Sequence, residues 1–290
     1  MKIQSLSIAV PANKCINDCK FCVSKMHCGD YLNRIDTMNE DFPTVVNEYL
    51  ARLNYARDNG CNAVMLTGNC EPQQNRSFLR TLGFIFRMMN NSFRQIEIQT
   101  TGVMLDEDYL RFLRDWVGVT TISLSVSSFN DYTNNSIIGT PKNGYVELGV
   151  LAHNIKKLGF TLRLSINLTD AFINYTPEDI VIACKGYGAN QITLRKMYYD
   201  GSETEQSLWV KNNTKYIQYE RFSEYFAARQ NCILRQLEYG QYVYDIDGIS
   251  VVYDNDCMAK EVHTDELKYL ILRPDCKLYS QWDSKASLIF

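Results

Sequence analysis

The stretch Ile3-Gln4-Ser5-Leu6-Ser7-Ile8-Ala9-Val10-Pro11 is followed, two residues later, by Lys14-Cys15-Ile16-Asn17-Asp18-Cys19-Lys20-Phe21-Cys22. A short apolar run that ends at proline is typical of a buried strand. The loop after it carries three cysteines with the spacing C-x3-C-x2-C, close enough along the chain to bind one metal centre. Iron–sulfur cubanes usually have four cysteine ligands, so three from one loop could leave one iron open. The stretch therefore predicts a strand that leads into a metal-binding loop.

A closed metal site is the alternative at this stage. Cys28 or His27 follows the triplet and could supply a fourth ligand. Four ligands would make a structural zinc site or an electron-transfer cluster with no open position. The spacing alone does not decide between the open and the closed site.

Beyond the loop, short apolar strands alternate with helical patterns, which indicates βαβ units and a parallel sheet. We predict strands near 3–10, 62–67, 95–99, 120–126, 161–167 and 191–197, and helices near 41–58, 76–90, 106–116, 143–158, 177–186 and 214–229. The predicted fold class is α/β, a partial (β/α)6 TIM-like barrel over residues 1–230. Residues 231–290 are predicted to be a small C-terminal β extension of hairpins packed on the barrel, one around Asp245-Ile246-Asp247-Gly248 and one around Pro274-Asp275.

The composition sets limits on location and partners. Apolar residues make up 46% of the 290 residues and charged residues 22%, the net charge is −3, and there are ten cysteines. No apolar stretch reaches the roughly 20 residues that span a bilayer, and no signal peptide is visible, so a cytoplasmic location is expected. Cysteines in that compartment favour thiols and metal ligands over disulfides. We expect neither a membrane nor a nucleic acid as partner.

The later strands carry motifs that, together with the cysteine loop, resemble the radical S-adenosylmethionine (radical SAM) superfamily. Phe21 precedes the third cysteine, as an aromatic does in that family. Strand two ends in Leu66-Thr67-Gly68-Asn69-Cys70-Glu71-Pro72, similar to the family's Gly-Asn-Gly-Glu-Pro segment, with Cys70 in place of the second glycine. Gln99-Thr100-Thr101-Gly102 resembles its Thr-Asn-Gly turn. The chain resembles a compact member whose core is like that of the molybdopterin-synthesis enzymes, without their extra C-terminal cluster.

The resemblance implies a [4Fe-4S] cluster on Cys15, Cys19 and Cys22, with SAM as the second cofactor. It implies that Gly68 and Glu71 lie by the methionine end of SAM. It further implies that Ser125 and Arg163 hold the ribose or carboxylate, and that Gln99 and Met197 also border SAM. Polar residues at the carboxyl ends of parallel strands are where barrel folds build active sites. No catalytic acid or base is assigned, because cleavage of SAM needs none.

The implied function is reductive cleavage of SAM to a 5′-deoxyadenosyl radical, which abstracts hydrogen from a small-molecule, nucleotide-like or peptide substrate. The family expectation for the reductant is a flavodoxin or ferredoxin. A different class of protein is the alternative, an electron-transfer or binding protein with a closed four-ligand cluster or zinc. The remaining cysteines Cys61, Cys184, Cys232, Cys257 and Cys276 are widely spaced and indicate small buried side chains more than a second cluster.

Overall fold

The computed structural model describes residues 2–26, 46–90, 92–237, 241–255, 266–282 and 284–290. The chain divides into two compact units. Unit 1 consists of Met1–Asn17, His27–Ile122 and Val262–Phe290, and unit 2 consists of Asp18–Met26 and Ser123–Glu261. This division does not test the predicted boundary at residue 230, which stays a prediction.

Strands and helices alternate along the described chain. The strands are β1 (Lys2–Ala9), β2 (Ala63–Thr67), β3 (Gln95–Thr100), β4 (Thr121–Val126), β5 (Thr161–Leu168), β6 (Gln191–Lys196), β7 (Ile233–Gln236), β8 (Tyr242–Ile246), β9 (Ile249–Asp254), β10 (Glu266–Leu272) and β11 (Leu278–Tyr279). The α-helices are α1 (Val23–Met26), α2 (Val46–Asp58), α3 (Arg76–Met88), α4 (Glu107–Phe112), α5 (Asp131–Ile138), α6 (Leu148–Lys157), α7 (Pro177–Gly186), α8 (Glu205–Asn213) and α9 (Tyr219–Ala227).

Unit 1 is built on the strand order β11-β10-β1-β2-β3. β1 is parallel to both β10 and β2, β2 is parallel to β3, and β11 closes the edge as an antiparallel strand. One face of these strands is apolar and fully buried, as Leu6, Leu66 and Ile98 show. The opposite face carries polar side chains such as Gln99 and Glu97. The alternation follows from the two-residue side-chain period of a strand.

Unit 2 is built on the order β4-β5-β6-β9-β8-β7. β5 is parallel to β6, β6 is parallel to β9, and β8 pairs with β9 as an antiparallel hairpin. The hairpin turns at Asp247 and Gly248, whose φ angles are 52° and 81°. Two successive positive φ values define the turn type that Asp-Gly favours, because it matches the twist of the strands.

The predicted α/β class with a mostly parallel sheet is confirmed, and each of the six predicted strands is present within two residues at either end. The helices differ in several places. The predicted 106–116 helix changes to a π-helix over Leu113–Val117. The predicted 143–158 and 214–229 helices begin only at Leu148 and Tyr219, and α1, α5 and α8 were not predicted. Helices α5 and α8 begin at polar caps, Asn130 and Thr204, and bury few side chains, so apolar periodicity does not reveal them. The first five residues of the predicted 41–58 helix, 41–45, lie outside the described residues.

The hairpin around Pro274-Asp275 is confirmed, since Ile271 pairs with Tyr279 and Leu272 with Leu278. Its first strand, β10, also pairs in parallel with β1 over its whole length. The C-terminal segment of unit 1 thus extends the sheet itself. Cys276 has φ 59° in the turn, the position at which glycine would be the simple choice.

None of the described helices is long and apolar enough to cross a membrane. The eight cysteines that the structure describes all carry free thiols.

Candidate functional site

Cys15, the first cysteine of the loop, lies in unit 1. Its pKa is lowered to about 7, with hydrogen bonding to Cys70 as the largest cause and to the backbone of Asn17 and Glu71 as smaller ones, against the opposing effect of burial. Cys15 is only half-buried. A thiolate that is stabilised and still accessible is the form in which cysteine binds a metal.

The polar residues after Glu71-Pro72 hold the first half of the cysteine loop in place. Gln74 uses both ends of its side-chain amide: Nε2 donates to Lys14 O at 2.8 Å, and Oε1 accepts from Ile16 N at 2.9 Å. Asn75 Nδ2 donates to Pro11 O at 2.8 Å. The backbone on both sides of Cys15 is therefore fixed by side chains about 60 residues away in sequence.

The Glu71 carboxylate is buried, with 6% of the residue exposed, and both of its oxygens are engaged. Oε1 accepts from Asn17 Nδ2 at 3.0 Å and from Thr101 Oγ1 at 2.7 Å. Oε2 accepts from Thr100 Oγ1 at 2.5 Å and from Gln73 Nε2 at 2.7 Å, and the Thr101 backbone N–H reaches Oε1 at 3.1 Å. A buried carboxylate needs such donors, and here they tie the loop, the end of β2 and the end of β3 together.

Gly68 lies where the end of β2 meets the end of β1. A Cβ on Gly68 would lie 3.0 Å from Val10 O and 3.3 Å from Val10 N, and the φ of Gly68 is +154°. Beside it, Val10 N donates to Thr67 O at 2.8 Å. Only glycine permits this approach of two backbones, so Gly68 sets where the cysteine loop leaves β1.

The second half of the loop is held in unit 2 by the end of α5. Asp18 N donates to Gly139 O at 3.1 Å, and Lys20 N donates to Ile137 O at 3.0 Å. A Cβ on Gly139 would lie 2.5 Å from Asp18 O, and its φ is +64°. Gly139 therefore permits both the left-handed end of the helix and the close approach of the loop.

Cys19 and Cys22 are both half-buried in unit 2. Cys22 N donates to Cys19 O at 3.3 Å, which closes a tight turn directly before α1. Lys25 on α1 pairs with Asp18, and this hydrogen bond raises the pKa of Lys25. The aromatic residue of the loop, Phe21, lies 6.1 Å from the Trp209 ring, centroid to centroid.

The remaining candidate residues lie on the polar faces of their strands. In unit 1, Gln99 Nε2 lies 3.4 Å from Glu97 Oε1 and 3.5 Å from Met65 Sδ. Glu97 is 1% exposed and was not singled out in the sequence. Gln99 is therefore part of a polar row on β3, separate from the hydrogen bonds of Glu71 that are described above.

In unit 2, Arg163 donates from Nε and Nη2 to Gln191 Oε1, at 2.9 and 2.6 Å. Ser125 is half-buried on β4, and Met197 is half-buried directly after β6. Ser125 and Arg163 lie at polar positions of strands in the same unit, and Met197 lies beyond the end of β6.

Several residues that position the loop were missed in the sequence. They are Asn17, Gln73, Gln74, Asn75 and the thiol of Cys70. One signal was available, because Asn75 caps α3 by accepting from Phe78 N at 3.0 Å, and asparagine before an apolar helix is a known start signal. Among the residues that the structure describes, no three histidine, cysteine, aspartate or glutamate side chains are grouped at metal-binding distance. The candidate fourth ligands His27 and Cys28, and also Cys257 and His263, lie outside the described residues.

Comparison with known proteins identifies the family. The family model of the Radical SAM superfamily matches residues 9–185, more than half of the chain. The chain belongs to the radical SAM superfamily and is an enzyme of that class. Its structure is an unclosed α/β fold like the partial TIM barrels of that superfamily.

Two solved structures show the same fold. One is native anSMEcpe with bound AdoMet and Cp18Cys peptide, at 14% identity and a TM-score of 0.57, covering 98% of this chain and 75% of that one. The other is coproporphyrinogen III oxidase (HemN) from Escherichia coli, described as a radical SAM enzyme. It is 14% identical with a TM-score of 0.52, and the match covers 88% of this chain and 63% of that one. No curated protein matches the sequence.

Proposed function

We propose that this protein binds a [4Fe-4S] cluster through Cys15, Cys19 and Cys22 and uses it to cleave SAM. When bound, such a cluster with one open iron reduces SAM to methionine and a 5′-deoxyadenosyl radical, which abstracts hydrogen from the substrate. The observation that carries the proposal is the C-x3-C-x2-C loop, whose backbone is held on both sides of Cys15 by Gln74, in a chain of the radical SAM superfamily. Thiolates at this spacing are the donor set that iron–sulfur clusters use.

The chain's own residues prepare the loop for this task. Gln74 and Asn75 fix the backbone around Cys15, so the first ligand is held before metal arrives. The carboxylate of Glu71 is occupied by its donors, so we propose that Glu71 acts through its backbone N–H and by positioning. Gly68 is proposed to leave room beside the loop for the methionine end of SAM.

The polar face of unit 2 supports the binding of a polar ligand. The register of β5 and β6 places Arg163 beside Gln191, Ser165 beside Thr193 and Asn167 beside Arg195. Within the described residues, the buried Ser165 Oγ has no hydrogen-bond partner. A buried hydroxyl without a partner is costly unless a ligand supplies one.

We propose Ser125 and Arg163 as contacts for the ribose or carboxylate of SAM, and Gln99 and Met197 as further residues that border SAM. The substrate is proposed to be a small molecule, a nucleotide-like compound or a peptide. A flavodoxin or ferredoxin as reductant and a cytoplasmic location stay predictions.

The test is anaerobic reconstitution with iron and sulfide, followed by dithionite and SAM, with 5′-deoxyadenosine quantified by mass spectrometry. We expect the product from the unmodified protein and none from Cys15→Ser, Cys19→Ser or Cys22→Ser. Cys232→Ser is the matched control, because Cys232 is also half-buried and lies outside the triplet. Cys28→Ser should also retain the cluster.

Loss of the cluster in Cys28→Ser, or a bound metal with no binding of SAM, would favour the alternative of a closed four-ligand site. In that case the protein would be an electron-transfer or metal-stabilised binding protein.

A further inference from the structure

One face of α3, in unit 1, carries a row of exposed side chains. Arg76, Arg80, Phe84 and Arg87 follow one another at spacings of four, four and three residues, which places them on one side of the helix. All four are exposed, and α3 contains no aspartate or glutamate although the whole chain has a net charge of −3. We call these four residues the arginine strip.

The arginines of the strip are stacked on aromatic rings of the segment that follows β3. The Cζ of Arg76 lies 4.4 Å from the centroid of the Phe112 ring. Arg80 and Arg87 both lie over the Trp116 ring, at 5.9 and 5.7 Å, and Arg87 Nη1 also donates to Trp116 O at 2.7 Å. Stacking restrains a guanidinium group while its N–H groups can still bind carboxylates.

A glycine in α3 makes this stacking possible. A Cβ added at Gly83 would lie 2.2 Å from Trp116 O, so only glycine lets α3 approach the π-helix this closely. Gly83 is three residues after Arg80 and four before Arg87, so the close approach brings both arginines to the Trp116 ring. Trp116 nevertheless stays 55% exposed.

The charges of the strip are not neutralised by its neighbours. Within the part of the chain that the structure describes, the three arginines form no ion pair, whereas two nearby acidic residues already have partners. Glu107 pairs with Arg111 at 2.5 Å, and Asp115 pairs with Arg114 at 2.7 Å. Restrained arginines beside exposed aromatic side chains are the composition that protein–protein interfaces favour.

The strip begins beside the residues that hold the cysteine loop. Arg76 directly follows Asn75, whose amide donates to Pro11 O at 2.8 Å. The Cζ of Arg76 also lies 5.1 Å from the Tyr109 ring, and the Tyr109 hydroxyl donates to Gln73 O at 2.6 Å. A partner on the strip would therefore bind to the same packed segment that fixes the start of the loop.

We propose that the arginine strip docks a small acidic electron-carrier protein, which supplies the electron for the cluster. The inference rests on the proposed function, because reductive cleavage of SAM needs one electron from outside the chain. In the transfer the carrier loses one electron and the oxidised cluster gains it. Complexes of electron carriers have small interfaces, and charge complementarity speeds their association. Three unpaired guanidinium groups provide the complement to a carboxylate-rich surface.

The experiment uses an acidic flavodoxin as the probe. The test variant reverses the three charges of the strip: Arg76→Glu, Arg80→Glu and Arg87→Glu. The matched control makes the same change in net charge at three exposed lysines of unit 2: Lys142→Glu, Lys211→Glu and Lys215→Glu. A third variant replaces the three arginines by lysine and so retains their charge.

Binding of flavodoxin to the reconstituted proteins is followed by surface plasmon resonance at low and at high salt. We expect the unmodified protein to bind, and high salt to weaken the binding. The glutamate variant of the strip should associate about tenfold or more slowly, while the unit 2 control should change by less than about twofold. The lysine variant should retain most of the association rate.

A second measurement quantifies 5′-deoxyadenosine with two different reductants. With reduced flavodoxin, the glutamate variant of the strip should form the product more slowly by a factor similar to its loss in association rate. With dithionite, which needs no docking, it should match the unmodified protein.

Equal effects of the strip variant and the unit 2 control, or flavodoxin binding that the strip variant leaves unchanged, would overturn the proposal. An equal loss of product with dithionite would also overturn it, because the arginines would then act on the cluster or the fold. So would a dimer that the strip variant dissociates, since a second copy would then occupy the strip. If the unmodified protein cleaved no SAM with dithionite but bound flavodoxin through the strip, the proposed function would fail while the docking surface stood.

Discussion

Asn17 Nδ2 donates to Glu71 Oε1 across 3.0 Å, joining residues 54 positions apart in the sequence. The same amide reaches Thr101 Oγ1 at 2.8 Å. One side chain from the cysteine loop is therefore bonded to the segments that follow β2 and β3. The loop is held as part of the folded unit, and its geometry depends on residues that are not ligands.

Glu71→Gln should destabilise the protein by about 3 kcal/mol, because an amide places donors against the donors of Thr100, Thr101 and Gln73. Urea denaturation of the cluster-free protein measures the free energy of unfolding. Glu107→Gln is the control. Glu107 forms an exposed ion pair with Arg111, so this substitution should change the free energy of unfolding by less than about 0.5 kcal/mol. Equal effects of the two substitutions would refute the structural role of Glu71.

Gly139→Ala and Gly159→Ala separate backbone strain from close approach. Both glycines follow helices with positive φ, +64° and +82°, so each alanine should cost about 1 kcal/mol. A Cβ added at Gly139 would lie 2.5 Å from Asp18 O, whereas a Cβ added at Gly159 would have nothing within 4 Å. Gly139→Ala should therefore cost about 1–3 kcal/mol more and also reduce iron uptake. Urea denaturation and iron analysis measure both, and matching results for the two variants would contradict the prediction.

Gln74→Ala should loosen the backbone on both sides of Cys15, because it removes the bonds to Lys14 O and Ile16 N. We expect faster amide hydrogen exchange in peptides covering residues 11–17, measured by mass spectrometry. Gln236→Ala, at an exposed position on β7, should leave that exchange unchanged. Unaltered exchange in Gln74→Ala would show that the loop is held by other contacts.

Alkylation of Cys15 in the cluster-free protein should follow its lowered pKa. The thiolate forms as pH rises through about 7, so the rate should reach half its maximum there. Cys70→Ala removes the largest cause of the lowering, and the midpoint should move to higher pH. Burial raises the pKa of Cys61 to about 11, so Cys61 should stay unreactive at neutral pH and serves as the internal control.

Peptide-resolved mass spectrometry after iodoacetamide treatment follows Cys15 and Cys61 in one experiment. A Cys15 midpoint that stays the same in Cys70→Ala would mean that the Asn17 and Glu71 N–H groups alone stabilise the thiolate.

Much of the fold was predictable because it is local. The six predicted strands follow from short apolar runs between helical patterns, and the turn at Asp247-Gly248 follows from residues that tolerate positive φ. The pairing of β10 with β1 was not predictable, because nothing in residues 266–272 specifies which strand they join. Parallel pairing depends on contacts between segments far apart in the chain.

The sequence by itself determined the family, the spacing of the three cysteines and the alternation of strands and helices along the chain, since each of these is specified by short windows of residues. Only the tertiary structure decided that the Glu71 carboxylate is occupied by donors such as Asn17, and that Gln74 and Asn75 hold the cysteine loop. The physical reason is that a buried polar group must find its partners in space, and those partners come from whichever segment the fold brings near.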